Sequence, residues 1–306
     1  MRHRLRTRLG ITAAIGLLVL GAAGCGAPGG VDGDLTDGWG AIGVPTGFTP
    51  PAARCHLANF ATVGTRAAYE EIDCTLKHRT ETVYVGTYEH PAAQADNPPA
   101  EGSAASRAAY AVCDAKTSEY VGGPWRTARL WIGVTHPSAA AWTGGARWFR
   151  CEALEISSIE DDGGLVMRVG SLADALRTPA SDLLLTCYDI QLDRDGAIDT
   201  MPSASCSAEH NAEFVGVWQA GELTYPKKDD QWVPFHDGCR GLIADYVGVP
   251  DDDDLPFRTG VISLPSGEDV WALGDRGVRC YLWLDGSALT SSLKDKGVKS
   301  LPIQYR

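Results

Sequence analysis

The stretch Trp271–Cys280, WALGDRGVRC, sets a cysteine beside two arginines. Cations nearby stabilise a thiolate, and the thiolate is the nucleophilic form of cysteine. Two further pairs have the right groups for proton transfer: His78 with Glu81, and His210 with Glu213, each within the pattern C-x3-H-x2-E. Imidazole and carboxylate act as a general acid–base pair only when both reach one substrate atom. On a strand, residues three apart face opposite sides of the sheet, so neither pair forms a dyad unless a bulge intervenes. The expected role is structural. Histidine caps the strand entry, and glutamate pairs with Arg147 or Arg276. Metal chemistry would need more ligands. His56, His90, His136 and His236 fall in no matched spacing, and C-x2-C, H-E-x2-H and G-x-S-x-G are absent from the sequence. No catalytic residue, metal or cofactor is therefore expected.

The elements that position these residues are marked by the cysteines. Apart from Cys25 there are eight: 55, 74, 113, 151, 187, 206, 239 and 280. Their successive intervals are 19, 39 and 38 in the first four, and 19, 33 and 41 in the second four. Such agreement, apart from loop-sized differences, is the mark of a duplication. Neighbouring residues repeat with them. CTLKHRTE matches CSAEHNAE, CDAKTSEYVGGP matches CRGLIADYVGVP, and WTGGARWFRC matches WALGDRGVRC; a Pro-Ser pair, Pro137-Ser138 and Pro265-Ser266, precedes both tryptophans of the last two. A thiol reagent has no reason to appear twice as the fourth of four evenly placed cysteines. Cys280 therefore reads as half of a disulfide.

Within one copy, LLLTCYDIQL reads as a strand, and the β-formers of ETVYVGTYE and AEFVGVWQ read as the next. SRAAYAVCDAKTSEYVG has helical spacing and a Gly-Gly-Pro stop. TARLWIGVTHP with ARWFRCEAL, and RTGVISLP with VRCYLWL, supply two more strands. The expected fold class is α+β: two tandem β-β-α-β-β-like disulfide-stapled repeats. A hairpin brings neighbouring strands within bridging distance, which favours Cys55–Cys74 and Cys187–Cys206. Cys113–Cys151 and Cys239–Cys280 then pin each helix to a strand. Trp142 and Trp271 read as core, the sharper alternative being the wall of a groove that stacks peptide or glycan.

The N-terminal end carries an address. Four arginines precede an apolar run ending Ala22-Ala23-Gly24-Cys25, too short for a membrane span and suited to a signal peptide. The small residues before Cys25 resemble a bacterial lipobox, which implies diacylglycerol on Cys25 and attachment through acyl chains. The expected organisation is 1–24 signal peptide, 25–52 flexible tether, 53–180 first copy and 181–306 second copy. Loss of 1–24 leaves 23 basic against 39 acidic residues, a net charge of −16, which argues against nucleic acid as a partner. The acidic run Asp251–Asp254 reads as a solvated loop, and Asp195-Gly196 as a hairpin turn.

The C-x3-H-x2-E strand, the helix cysteine and the W-x2-G-x-R strand resemble the septum formation domain of secreted and membrane-attached actinobacterial proteins. Ser-Leu pairs follow the last cysteine of each copy, in GSLADAL and SSLKDKG, as they often do in that family. The resemblance implies a cell-envelope setting and brings no reaction or ligand with it. The chain is accordingly expected outside the cytoplasmic membrane, anchored by lipid on Cys25, as a non-catalytic module binding an envelope protein or cell-wall ligand. A hydrolase using a His/Glu pair is the alternative.

Overall fold

The computed structural model describes residues 48–59, 63–64, 69–160 and 164–304. The expected signal peptide, Cys25 and the tether up to residue 47 lie outside the described residues. In the first half β1 (Arg54–His56), β2 (Val63–Gly64) and β3 (Glu71–Ile72) precede the long strand β4 (Thr80–Thr87). Helix α1 (Ala104–Val121), β5 (Leu130–Pro137), the short α2 (Ala139–Thr143) and β6 (Trp148–Glu155) complete it. The sheet order is β2-β5-β6-β4-β1-β3. In the second half β7 (Cys187–Tyr188), a β8–β9 hairpin (Gln191–Leu192, Ile198–Thr200) and β10 (Ser203–Ala204) precede β11 (Ala212–Gln219). Helix α3 (Asp229–Val247), β12 (Gly260–Pro265), α4 (Glu268–Ala272) and β13 (Gly277–Trp283) follow, and the sheet order is β10-β7-β11-β13-β12.

Local chemistry accounts for the helices. Ser103 accepts a hydrogen bond from the Ser106 N–H at the start of α1, and Gly122 ends it in the left-handed region at φ 81°. Asp229 and Asp230 favour the N-terminus of α3, and Gly248 closes it at φ 81°. Each helix packs on its sheet under a disulfide, Cys113–Cys151 for α1 on β6 and Cys239–Cys280 for α3 on β13. The other two bridges are Cys55–Cys74 and Cys187–Cys206. Their second cysteines lie in turns before β4 and β11, not in the second strand of a hairpin.

The first expected strand of the second copy is only partly one. Cys187–Tyr188 pairs in the sheet, whereas Leu183 and Leu185 are held by backbone bonds to Arg129 and Thr127 of the first half. A segment claimed by another chain segment cannot extend its own ladder. The short helices α2 and α4 were not expected. In the first half the Pro-Ser pair marks the turn from strand to helix, where the Ser138 Oγ accepts from the Ala141 N–H at 3.2 Å. Residues Pro45–Arg306 form one compact unit, with Val270 of α4 buried in the cluster that contains Tyr110, Trp125 and Ile132.

Candidate functional site

The residues singled out by the repeated motifs meet at two buried carboxylates. Glu81 Oε1 accepts from the Tyr120 and Ser171 hydroxyls, both at 2.5 Å, and Oε2 accepts from the Leu172 N–H at 2.7 Å. Glu213 Oε2 accepts from the Tyr246 and Ser292 hydroxyls at 2.7 Å, and Oε1 from the Leu293 N–H at 2.8 Å. Each carboxylate therefore ties a strand to the last turn of its helix and to the Ser-Leu loop. Burial, reinforced by its hydrogen bond to Glu81, pushes the Tyr120 hydroxyl up to about 12; burial also raises Tyr246. Both phenols stay neutral donors at physiological pH.

The expected ion pair of these glutamates with Arg147 or Arg276 does not form. Arg147 stacks on Trp142 at 4.2 Å and donates to the Trp142 and Ala146 carbonyls. Arg276 stacks on Trp271 at 4.6 Å and donates to the Trp271 and Asp275 carbonyls. Both arginines cap the short helix of their own motif, donating to carbonyls that a helix end leaves without intrahelical partners. Trp142 and Trp271 are buried.

The histidines depart from strict alternation. His78 and His210 precede their strands, each in an isolated bridge, so the opposite-face rule does not bind them. His78 Nδ1 donates to the Leu76 carbonyl at 2.9 Å, and His210 Nδ1 to the Ala208 carbonyl at 2.8 Å. His210 Nε2 approaches Glu213 Oε1 at 3.3 Å, whereas His78 Nε2 is buried without a hydrogen-bond partner. All four side chains are buried: His78 is 0% exposed, His210 1%, Glu81 1% and Glu213 0%. Cys187, His210 and Glu213 also converge, as do Cys55, Cys74 and Glu81. Their sulfurs are committed to disulfides and offer no thiolate to a metal.

Residues that the two halves do not share prove more distinctive. Asp275 stands where the first motif has Ala146, and its carboxylate is a buried hub. Oδ1 accepts from Arg126 Nε and Nη2 at 3.1 and 2.6 Å and from the Gly277 N–H; Oδ2 accepts from the Tyr110 and Ser266 hydroxyls. Arg126 and Tyr110 belong to the first half, so this one acid locks the halves together. Arg279 adds bonds to the Arg126 and Leu130 carbonyls. Sequence reasoning missed Asp275. The mismatch of acid against alanine between otherwise matching motifs was the available signal.

Beside this lock lies a cavity of about 260 Å³ between β5 and the start of α1 on one side and α4 on the other. Ile132, Val134, Val270 and Leu273 give it apolar walls. His136 lines it too, with Nδ1 2.5 Å from the Tyr88 hydroxyl, and burial pulls its imidazole down to about 4. A second polar cluster, His56–Thr82–Glu152–Arg150, sits inside the first half. Thr82 Oγ1 lies 3.0 Å from His56 Nε2 and 3.1 Å from Glu152 Oε2, and Arg150 Nε lies 2.6 Å from Glu152 Oε1. It too is buried throughout, which suits holding a strand rather than meeting a substrate.

A family model described as septum formation matches residues 52–280. Neither a curated protein nor a solved structure matches the chain.

Proposed function

Since the chain belongs to the septum formation family, we propose that it acts as a non-catalytic binding module with a role linked to septum formation. It works outside the cytoplasmic membrane of an actinobacterial cell, held there by acyl chains on Cys25. The single observation that carries the non-catalytic reading is the burial of the side chains eligible for proton transfer. Glu81, His210 and Glu213 spend their polar atoms on backbone, hydroxyl and each other, and His78 bonds only the Leu76 carbonyl, its second ring nitrogen being shut away from solvent. A hydrolase working through a His/Glu pair would need substrate to reach them, and that alternative is not favoured. Four disulfides favour an oxidising compartment.

The module consists of two tandem copies. Supporting this, the strand orders β5-β6-β4-β1-β3 and β12-β13-β11-β7-β10 correspond. The long central strands also bulge at matching places, between Thr82 and Tyr84 and between Phe214 and Gly216. The protein or cell-wall ligand is met by surfaces that the duplication did not spend on folding.

Three experiments test the reading. With a proximity-labelling enzyme fused to the anchored chain in its native cell, division and wall-synthesis proteins should be enriched. Even labelling over the whole envelope would defeat the septal role. The His78→Gln/His210→Gln variant, if folded, should label the same partners as the parent. Loss of function in that folded variant would restore the acid–base mechanism. Cys25→Ser should release the protein from the membrane fraction.

A further inference from the structure

The cavity between the halves has three features that a simple packing defect does not combine. Its walls are largely apolar and include an aromatic, Trp131. Its two charged lining residues are carboxylates, Glu101 and Asp269, both exposed, and among the described residues no lysine or arginine lines it. Its wall includes Ser106, only 1% exposed, whose Oγ is buried with no hydrogen-bond partner. Ser106 is not needed to cap α1, since Ser103 supplies the capping oxygen. Buried hydroxyls are normally satisfied, and this orphan in the wall is a vacant hydrogen-bonding position just behind the cavity surface.

We propose that this cavity is a binding site for a small organic cation, an ammonium group carried on an apolar body. The body fills the Ile132–Val134–Leu273 walls. The ammonium lies beside Glu101 and Asp269, which attract it, and the Trp131 ring in the wall supplies an aromatic that can favour a cation. A polar substituent on the body meets the Ser106 hydroxyl once the neighbouring wall side chains move aside. His136 repels no cation, because its buried imidazole stays neutral above about pH 4. An anionic ligand would meet two carboxylates and no compensating base. The site exists only where α4 of the second half closes over β5 of the first, so it depends on the Asp275 lock. This inference rests on the reading of the chain as a binding module and names the chemistry of one ligand.

The test uses the purified protein and three probes of similar shape: phenethylammonium, 2-phenylethanol and 3-phenylpropanoate. Binding is followed by ligand-observed NMR and by the thermal unfolding midpoint at neutral pH. The cation should bind saturably and raise the midpoint, with the neutral alcohol about ten-fold weaker and the carboxylate weaker still. Glu101→Gln/Asp269→Asn, both at exposed positions, should lower the affinity for the cation about ten-fold. To test the orphan hydroxyl, the cation probe is extended with a terminal carbonyl acceptor. Ser106→Ala should weaken that probe about five-fold, yet leave the ligand-free midpoint unchanged or higher, since no bond is lost. Equal binding of cation and alcohol would overturn the proposal. So would unchanged binding in both variants, or no cation binding up to about 10 mM. Such a failure leaves the module reading intact, because proximity labelling tests that reading independently.

Discussion

At Glu81 and Glu213 a carboxylate that looks poised for chemistry is spent on holding a fold. Each accepts from a helix tyrosine, a loop serine and a loop N–H. Replacing one carboxylate oxygen by an amide sets N–H groups against donors. Glu213→Gln should therefore cost about 2 kcal/mol in urea unfolding. Tyr246→Phe, which removes a single donor, should cost about 1 kcal/mol. His136 makes a separate, pH-dependent contribution. Its imidazole titrates at about 4 in the folded protein, against an ordinary 6.5. Between those values the unfolded chain binds the proton and the folded chain does not. Stability from this residue is present above 6.5 and is lost as the pH falls toward 4. The full window is worth roughly 3 kcal/mol. Urea midpoints at about pH 4.5 and about pH 7 should differ less in His136→Gln than in the parent. Glu152, raised by burial, titrates in the opposite sense in both proteins and cancels in that comparison.

At the scale of elements, the helices α1 and α3 owe their place to the disulfides beneath them. Cys113–Cys151 and Cys239–Cys280 close loops of 38 and 41 residues. Replacing Cys113 and Cys151 together by alanine should cost roughly 2–5 kcal/mol, read from chemical denaturation under non-reducing conditions. These elements were legible in sequence because they are long. α1 spans Ala104–Val121 and carries a serine cap and a glycine stop, and β4 and β11 keep runs of β-formers. α2 and α4, five residues each, were not legible, since one turn and a half shows no periodicity. The ten-residue stretch LLLTCYDIQL reads as one strand but holds only the two-residue strands β7 and β8. Leu183 and Leu185 are apolar for the sake of burial, and their backbone bonds go to another segment.

At the scale of the molecule, the halves are joined by buried charge as well as apolar contact. Arg126 is shared between Asp114 and Asp275, and the Asp275 side chain has no exposure. Asp275→Ala leaves Arg126 with one partner and strips acceptors from Tyr110 and Ser266. We expect a loss of about 3 kcal/mol. Calorimetry should show a single transition in the parent, because Val270 and Arg279 of the second half are buried against the first. In Asp275→Ala that transition should broaden or divide. A sharp single transition at the parent's midpoint would show that the lock contributes little.

By itself the sequence determined the α+β class and the correspondence of the two cysteine sets, and it favoured, among three possible pairings in each set, the one the structure shows. Spacing along a chain is a one-dimensional quantity, and disulfides and long amphipathic elements follow it closely. It also marked Glu81, Tyr120 and Ser171, with Glu213, Tyr246 and Ser292, as residues of consequence, without revealing that each trio meets. Only the tertiary structure decided that the glutamates bond hydroxyls rather than Arg147 and Arg276, that Asp275 bolts one half to the other, and that a cavity with an unmet hydroxyl lies alongside. Those outcomes depend on which atoms come within about 3 Å of each other across more than a hundred residues of chain. Burial then fixes the energy of each meeting, and burial is a property of the packed molecule.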